Sequence, residues 1–273
     1  VRVKLSIIIL NWNSGDDLTA CLASIADNTG IKNKEIIVVD NGSTDGSELA
    51  AMRKHPEIHL VKNSKNLGVS MARNQGLEIS RGEYALILDV DTEVKPGAID
   101  QLVADMEKHP EVGLAGAKLV FHDGSLQYSC REFPTIVSKL LFRRLPSLFG
   151  RFLRKEEYLD WNHNRPAYVG YVIGACQIIR RKCLEELGFL DERIFYGPED
   201  IDYCLRAWKA GWKVMYNPQS VIVHKEARIT KGGLLKQIRN PIFWTHIKGL
   251  LIFFRTHRYL FRRPGPFFQE LTS

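Results

Sequence analysis

Leu86-Ile87-Leu88-Asp89-Val90-Asp91-Thr92 is an apolar run that ends in two carboxylates one residue apart. Side chains alternate along a strand, which predicts that Asp89 and Asp91 point the same way off one end of a sheet. Two anions this close repel unless a cation sits between them. Hard oxygen ligands at this spacing suit Mg²⁺ or Mn²⁺, ions that usually hold substrate phosphates rather than fill a complete protein cage. Acidic pairs also cap helices or lie solvated on loops, so the surrounding pattern has to decide.

That pattern is a regular alternation. Lys4 to Leu10 is a β-branched run, and Gly15 to Asn28 reads as a helix with Leu18, Leu22 and Ile25 on one face. Glu35 to Asp40 is the next strand, and the Ser43 to Glu48 stretch has the polar start of a second helix. Ile58 to Val61 is a third strand, Val69 to Ile79 a third helix and Tyr84 to Asp89 a fourth strand; Pro96 is placed to open the next helix. Strands alternating with helices imply parallel pairing with right-handed crossovers and helices on both faces of the sheet. Ligands of such sheets bind beyond the carboxyl ends of the strands, where Asn11, Asp40 and Asp89 all stand. The second half is less regular. Val112 to Phe121 and Tyr168 to Arg180 look like strands, Ile201 to Ala210 like a helix, Trp212 to Tyr216 and Val221 to His224 like short strands, and Leu234 onward is mostly helical until Pro264.

The 273 residues suit one large α/β domain or a domain with an appendage. Five widely spaced cysteines lack zinc-site spacing and suggest no disulfide framework, so reduced thiols in apolar surroundings are expected. No apolar run approaches the ~18 residues of a membrane span, and the N-terminal strand does not read as a signal peptide; a cytoplasmic protein is the expectation. The net charge of +7 is concentrated at one end: residues 225–273 hold ten Lys and Arg against two acids, leaving the rest of the chain close to neutral. A basic tail calls for an anionic partner.

Four segments carry a resemblance: Ser6 to Asn13, Val39 to Ser47, Asn66-Leu67-Gly68 with Ala72-Arg73-Asn74, and Leu88 to Asp91. In order and spacing they are similar to the signature of family 2 glycosyltransferases. Gly174-Ala175-Cys176 and Pro198-Glu199-Asp200-Ile201-Asp202 resemble that family's acceptor-side motifs, and the likeness runs from Leu5 to about His224. It implies a GT-A type, Rossmann-like mixed sheet flanked by helices over residues 1–224. Residues 1–92 would be the nucleotide-binding half, 93–224 the acceptor-binding half, and 225–273 a basic helical C-terminal extension.

The resemblance also assigns roles. Leu10, Asn11, Asp40, Asn41, Arg73 and Asp89 would hold the nucleotide sugar, with Asn41 standing where many members carry a second acid. Asp91 would be the main ligand of Mn²⁺ or Mg²⁺, with Asp89 sharing the ion and His224 completing its shell. Asp200 would be the base of an inverting transfer, taking the proton of the attacking hydroxyl. Glu199, Gly174 and Trp161 would lie on the acceptor side, with Trp161, His163 and Tyr171 shaping the sugar pocket. The overall look is closest to bacterial rhamnosyltransferase-like members that build cell-surface polysaccharide, so dTDP-rhamnose or a UDP-sugar is the expected donor and a glycan or polyprenyl-linked acceptor its partner.

Pro241 to Phe268 interleaves eight aromatic residues with Arg255, Arg258, Arg262 and Arg263. Such a mixture fits a helix lying in the plane of an anionic membrane surface, and residues 234–268 are expected to attach the protein to the inner face of the cell membrane. The Ile136 to Lys155 stretch, with Arg143 and Arg144, has the same character. The alternative is that the apolar residues pack on the domain while the arginines stay solvated. No nucleic-acid motif accompanies the tail, so no nucleic-acid partner is expected. A sugar-1-phosphate nucleotidyltransferase is discounted because Asn11 to Gly15 stands where those enzymes carry a Gly-rich, Arg-containing loop, and a non-catalytic membrane-associated scaffold because Asp89, Asp91, Asp200 and His224 are all present.

Overall fold

A computed structural model describes residues 2–140, 146–225, 241–261 and 263–271. The expected alternation is there: β1 Leu5–Asn11, α1 Asp17–Asn28, β2 Lys34–Asp40, α2 Ser47–Lys54, β3 His59–Lys62, α3 Val69–Ile79 and β4 Tyr84–Asp89. These four strands pair in parallel in the order β3-β2-β1-β4. The nearly continuous apolar runs of β1, β2 and β4 suit strands covered on both faces, while β3 is the half-exposed edge. Ile7 and Ile9 of β1 join one core with Leu18, Leu22 and Ile25 of α1. Ile8, between them, joins the other core with Ala72 and Leu77 of α3.

Beyond β4 the sheet becomes mixed. After β5 Thr92–Val94 and α4 Ala98–Lys108 come β6 Val112–Val120, β7 Leu126–Gln127, β8 Cys130–Arg131, α5 Ile136–Leu140 and α6 Pro146–Glu156. Then follow β9 Ala167–Tyr168, β10 Tyr171–Val172, β11 Cys176–Arg180, α7 Arg181–Leu187, α8 Glu199–Lys209 and β12 Lys213–His224. β11 runs antiparallel between β4 and β6, and β12 is parallel to β6. β12 therefore runs in the same direction as β4, and His224 reaches the sheet edge that Asp89 reaches.

Three expectations change in detail. The single strand over Tyr168 to Arg180 is broken into β9, β10 and β11 by Gly170 and Gly174; a Cβ on Gly170 would lie 2.8 Å from the Arg131 carbonyl oxygen. The two strands at Trp212 to Tyr216 and Val221 to His224 are one, β12, whose register shifts between Asn217 and Val221. Pro96 precedes α4 rather than opening it, because Gly97 turns the chain with φ +71° before Ala98.

After β12 the described chain resumes with α9 Pro241–His257 and ends with β13 Gln269–Glu270, which pairs with β9. α9 packs on the domain: Leu250, Phe253 and Phe254 are buried in the core that holds Ile201 and Leu205 of α8. Leu250, Phe253 and Phe254 thus follow the packing alternative, while Trp244, Lys248, Leu251, Arg255 and Arg258 stay exposed. Residues 226–240, with the expected helix start at Leu234 and the basic Arg228, Lys231, Lys236 and Arg239, lie outside the described residues, as do Arg143, Arg144 and Arg262. All five cysteines are buried free thiols. No helix among the described residues is long and apolar enough to cross a membrane.

Candidate active site

β4 ends at Asp89 and the chain turns through Val90-Asp91 into β5, which pairs antiparallel with the last residues of β12 so that Thr92 faces His224. The Thr92 hydroxyl donates to the Asp89 carbonyl at 2.7 Å, and the Lys225 amide donates to the Asp91 carbonyl at 3.0 Å. Strand alternation thus brings in Asp89 only; the turn and the β5–β12 pairing supply the rest. His224 Nε2 lies 3.2 Å from Asp91 Oδ1 and 4.0 Å from Asp89 Oδ2. One ligand atom from each of the three lies within 4.8 Å of the others. Two carboxylates and an imidazole on this scale fit a divalent ion, and the imidazole suits Mn²⁺ better than Mg²⁺.

Gln127 of β7, which sequence reasoning missed, sets the imidazole. His224 Nδ1 lies 2.8 Å from Gln127 Oε1. An amide oxygen requires the proton on Nδ1, which turns the Nε2 lone pair toward the carboxylates, as a metal ligand needs.

Arg73 of α3 joins the metal-type cluster to α8. Its Nη2 donates to Asp89 Oδ1 at 2.6 Å and to the Gly174 carbonyl at 3.0 Å, while Nη1 donates to Glu199 Oε1 at 3.0 Å. The guanidinium passes close over Gly174, where a Cβ would sit 2.7 Å from Nη1. Glu199 is buried, and its second oxygen has no hydrogen-bond partner. Burial, reinforced by the neighbouring Asp200 charge and only partly offset by Arg73, pushes the Glu199 carboxyl up to about 7. Desolvation likewise raises Asp89, and Arg73 and His224 pull it back. Asp200 is aimed by the backbone: Oδ2 accepts from the Gly174 amide at 3.1 Å and Oδ1 from the Ile201 amide at 2.7 Å.

A cavity of about 340 Å³ brings these groups together. Leu10, Arg73, Asp89, Asp91, Gly174, Glu199, Asp200 and His224 all line it, as expected from the sequence. Arg131, Lys139, Tyr196 and His246 line it too and were not foreseen. Asn11, Asp40 and Asn41 lie under the same edge, buried and engaged with protein. The Asn11 amide donates to Asp40 Oδ1 at 2.8 Å and to the Ser47 hydroxyl at 2.9 Å, while Asn41 bonds Asn63, Asn66, Leu67 and Gly68. Gly42 makes the expected turn with φ +80°, and a Cβ there would meet the Lys65 backbone at 2.6 Å. Trp161 is placed outside the cavity: its ring packs 4.5 Å from that of His163 and 5.4 Å from that of Tyr216 on β12, an aromatic cluster that takes both Trp161 and His163 away from the cavity wall. Tyr171 does line the cavity.

Comparisons with known proteins agree with this geometry. The sequence profile of "Glycosyl transferase family 2" matches residues 6–188. A curated relative, the N-acetylglucosaminyl-diphospho-decaprenol L-rhamnosyltransferase of Mycobacterium tuberculosis, is 29% identical over 241 residues, covering 83% of this chain and 77% of the relative. The O-antigen biosynthesis protein RfbC of Myxococcus xanthus is 29% identical over 238 residues, which cover 86% of this chain and 18% of that longer protein. Among solved structures, the mannosyltransferase PcManGT from Pyrobaculum calidifontis, in complex with GDP-Man and Mn²⁺, superposes with a TM-score of 0.64 at 20% identity, over 97% of this chain and 66% of that one. The mixed sheet flanked by helices is thus the GT-A fold.

Proposed function

Because this chain belongs to glycosyl transferase family 2 and is a glycosyltransferase, we propose that it moves a sugar, with inversion, from a nucleotide diphosphate to a hydroxyl of a lipid-linked glycan in cell-surface polysaccharide synthesis. dTDP-rhamnose is the first donor to try and UDP-hexoses the next, a choice supported by the rhamnosyltransferase relative. The observation that carries the reading is that Asp89, Asp91 and His224 share one cavity with Asp200.

In this reading Asp89, Asp91 and His224 hold Mn²⁺ or Mg²⁺. A bound ion supplies Lewis-acid stabilisation of the departing diphosphate. Asp200 Oδ2 takes the acceptor O–H proton as that oxygen bonds to the anomeric carbon. The bond from that carbon to the diphosphate oxygen breaks, and its electron pair leaves with the nucleotide. Leu10 supplies an apolar contact to the base, while Asn11, Asp40 and Asn41 set the floor beneath it. Arg73 braces Asp89 against Glu199, and Glu199 in its protonated form spares Asp200 a second negative charge. Residues 1–92 serve the donor, 93–224 the acceptor, and the exposed face of α9 holds the enzyme on the inner surface of the cell membrane.

The test is Mn²⁺-dependent release of nucleoside diphosphate from dTDP-rhamnose and UDP-hexoses, with nucleotide binding followed by calorimetry. Asp91→Ala should remove the metal-dependent part of nucleotide binding. Asp200→Asn should abolish transfer while nucleotide binding persists; unchanged turnover in that variant removes Asp200 from the base role, and nucleotide binding indifferent to Asp91→Ala rejects the metal assignment.

A further inference from the structure

Cations line this cavity as well as carboxylates, and two of them, Arg131 from β8 and Lys139 from α5, make up its basic pole. Arg131 lies opposite Tyr171 in the small β8–β10 ribbon, separate from the main sheet that carries Asp89 and His224. It is anchored by Glu157 at 3.5 Å and by the Tyr128 carbonyl at 3.3 Å, and its Nε is buried without a hydrogen-bond partner.

α5 leads from this pole to a groove of about 560 Å³ lined by Ile136, Leu251, Phe254, Arg255, Arg258 and Leu260. Ile136 lines the groove and Lys139, one helical turn on, lines the cavity, so the two spaces adjoin along one face of α5. The α9 side is tied to α5 by the Ile136 amide donating to the Leu260 carbonyl at 3.0 Å and the Tyr259 hydroxyl donating to the Pro134 carbonyl at 3.0 Å. Leu251 and Leu260, both in the lining of the groove, are 57% and 44% exposed.

We infer that Arg131 and Lys139, with the groove between α5 and α9, form an acceptor subsite for an amphiphile: a diphosphate at the cations and its apolar isoprenoid chain along Ile136, Leu251 and Leu260. This rests on the glycosyl-transfer reading and adds to it the groups that select a lipid-linked acceptor. Charge and polarity follow the order such a molecule would need. The hydroxyl to be glycosylated lies at Asp200, the diphosphate at Arg131 and Lys139, and the chain in the groove, with Arg255 and Arg258 at its rim. The donor's diphosphate belongs to the carboxylate pole, where an ion can hold it.

The experiment titrates farnesyl diphosphate, farnesol and inorganic pyrophosphate into the full chain already saturated with dTDP and Mn²⁺. Farnesyl diphosphate is expected to bind about tenfold tighter than either of the others, since only it engages both parts. Leu251→Glu should lower its affinity about tenfold, Leu251→Met should restore it, and Lys139→Gln should weaken farnesyl diphosphate and pyrophosphate alike. Leu251 is more than half exposed, so folding is not at stake. Three results overturn the inference: competition between farnesyl diphosphate and dTDP, which puts it in the donor site; pyrophosphate binding as tightly as farnesyl diphosphate; or Leu251→Glu losing anionic-vesicle binding while keeping its affinity for farnesyl diphosphate. Failure of the transfer reading would show separately, as absence of Mn²⁺-dependent binding of both dTDP and UDP in the unaltered protein.

Discussion

The imidazole of His224 is oriented by Gln127 rather than by the carboxylates it faces. Groups that fix a metal-binding histidine through its other nitrogen typically contribute 10- to 100-fold in metal affinity. Gln127→Ala should therefore weaken Mn²⁺ binding by roughly that factor, read by calorimetry without substrate; unchanged affinity would mean that the ring needs no such support. Glu199 gives a pH dependence. Its folded-state pKa is raised, so between its ordinary value of about 4.5 and about 7 the folded protein holds a proton that the unfolded chain has released. Stability from this group is present below that window and is lost as pH rises through it. Glu199→Gln should flatten the decline, measured as urea unfolding midpoints across the window; an identical slope in the variant would remove Glu199 as its source. Asp89 and Asp91 were legible because an acidic pair at a strand end has a sequence signature, and Asp200 and His224 through the resemblance to family 2 glycosyltransferases. Gln127 and Arg131 were not, since each lies in a two-residue strand with no periodicity to announce it.

At the scale of elements, α8 is held by its neighbours rather than by a side-chain cap. Asp202 is buried between Arg206, at 2.9 Å, and His257 of α9, at 2.8 Å. Two helical turns earlier on α9, Gly249 sits against the loop that delivers Glu199 and Asp200: a Cβ there would collide with the Gly197 carbonyl oxygen. Gly249→Ala should push α9 off this loop at a cost of about 1–3 kcal/mol and lower transfer more than it lowers nucleotide binding. Chemical denaturation and calorimetry together check this, and a variant with unaltered stability and turnover would show that the contact relaxes freely. β1 to β4 and the helices between them could be read from sequence because each apolar run is local and its period unambiguous, whereas the three-residue β5 has no such run. The ribbon from Tyr168 to Cys176 could not, because two glycines interrupt an apolar run that otherwise reads as one strand, and the docking of α9 depends on contacts far apart in the chain.

Over the whole molecule, charge and exposed apolar surface coincide on one side. Trp244, Lys248, Leu251 and Arg255 recur along α9 at three- and four-residue steps, all exposed, while Phe253 and Phe254 face the core. A helix with aromatic and basic residues on its outer face and its opposite face fixed to a domain can rest on anionic lipid, each Lys or Arg near the surface contributing about 1 kcal/mol. Removing the tail would not test this cleanly, because α9 completes the core over α8. Charge reversal would: Lys248→Glu with Arg255→Glu alters two exposed side chains and leaves that core intact. Pelleting with phosphatidylserine vesicles should fall about tenfold or more in this variant, and in the unaltered protein should weaken as salt shortens the range of the attraction. Neutral phosphatidylcholine vesicles should bind little of either protein. Pelleting no higher than without vesicles, for neutral and anionic lipid alike and indifferent to salt and to both substitutions, would leave α9 as a packing element alone, and the lipid-linked acceptor would then have to reach Asp200 without a membrane-bound enzyme.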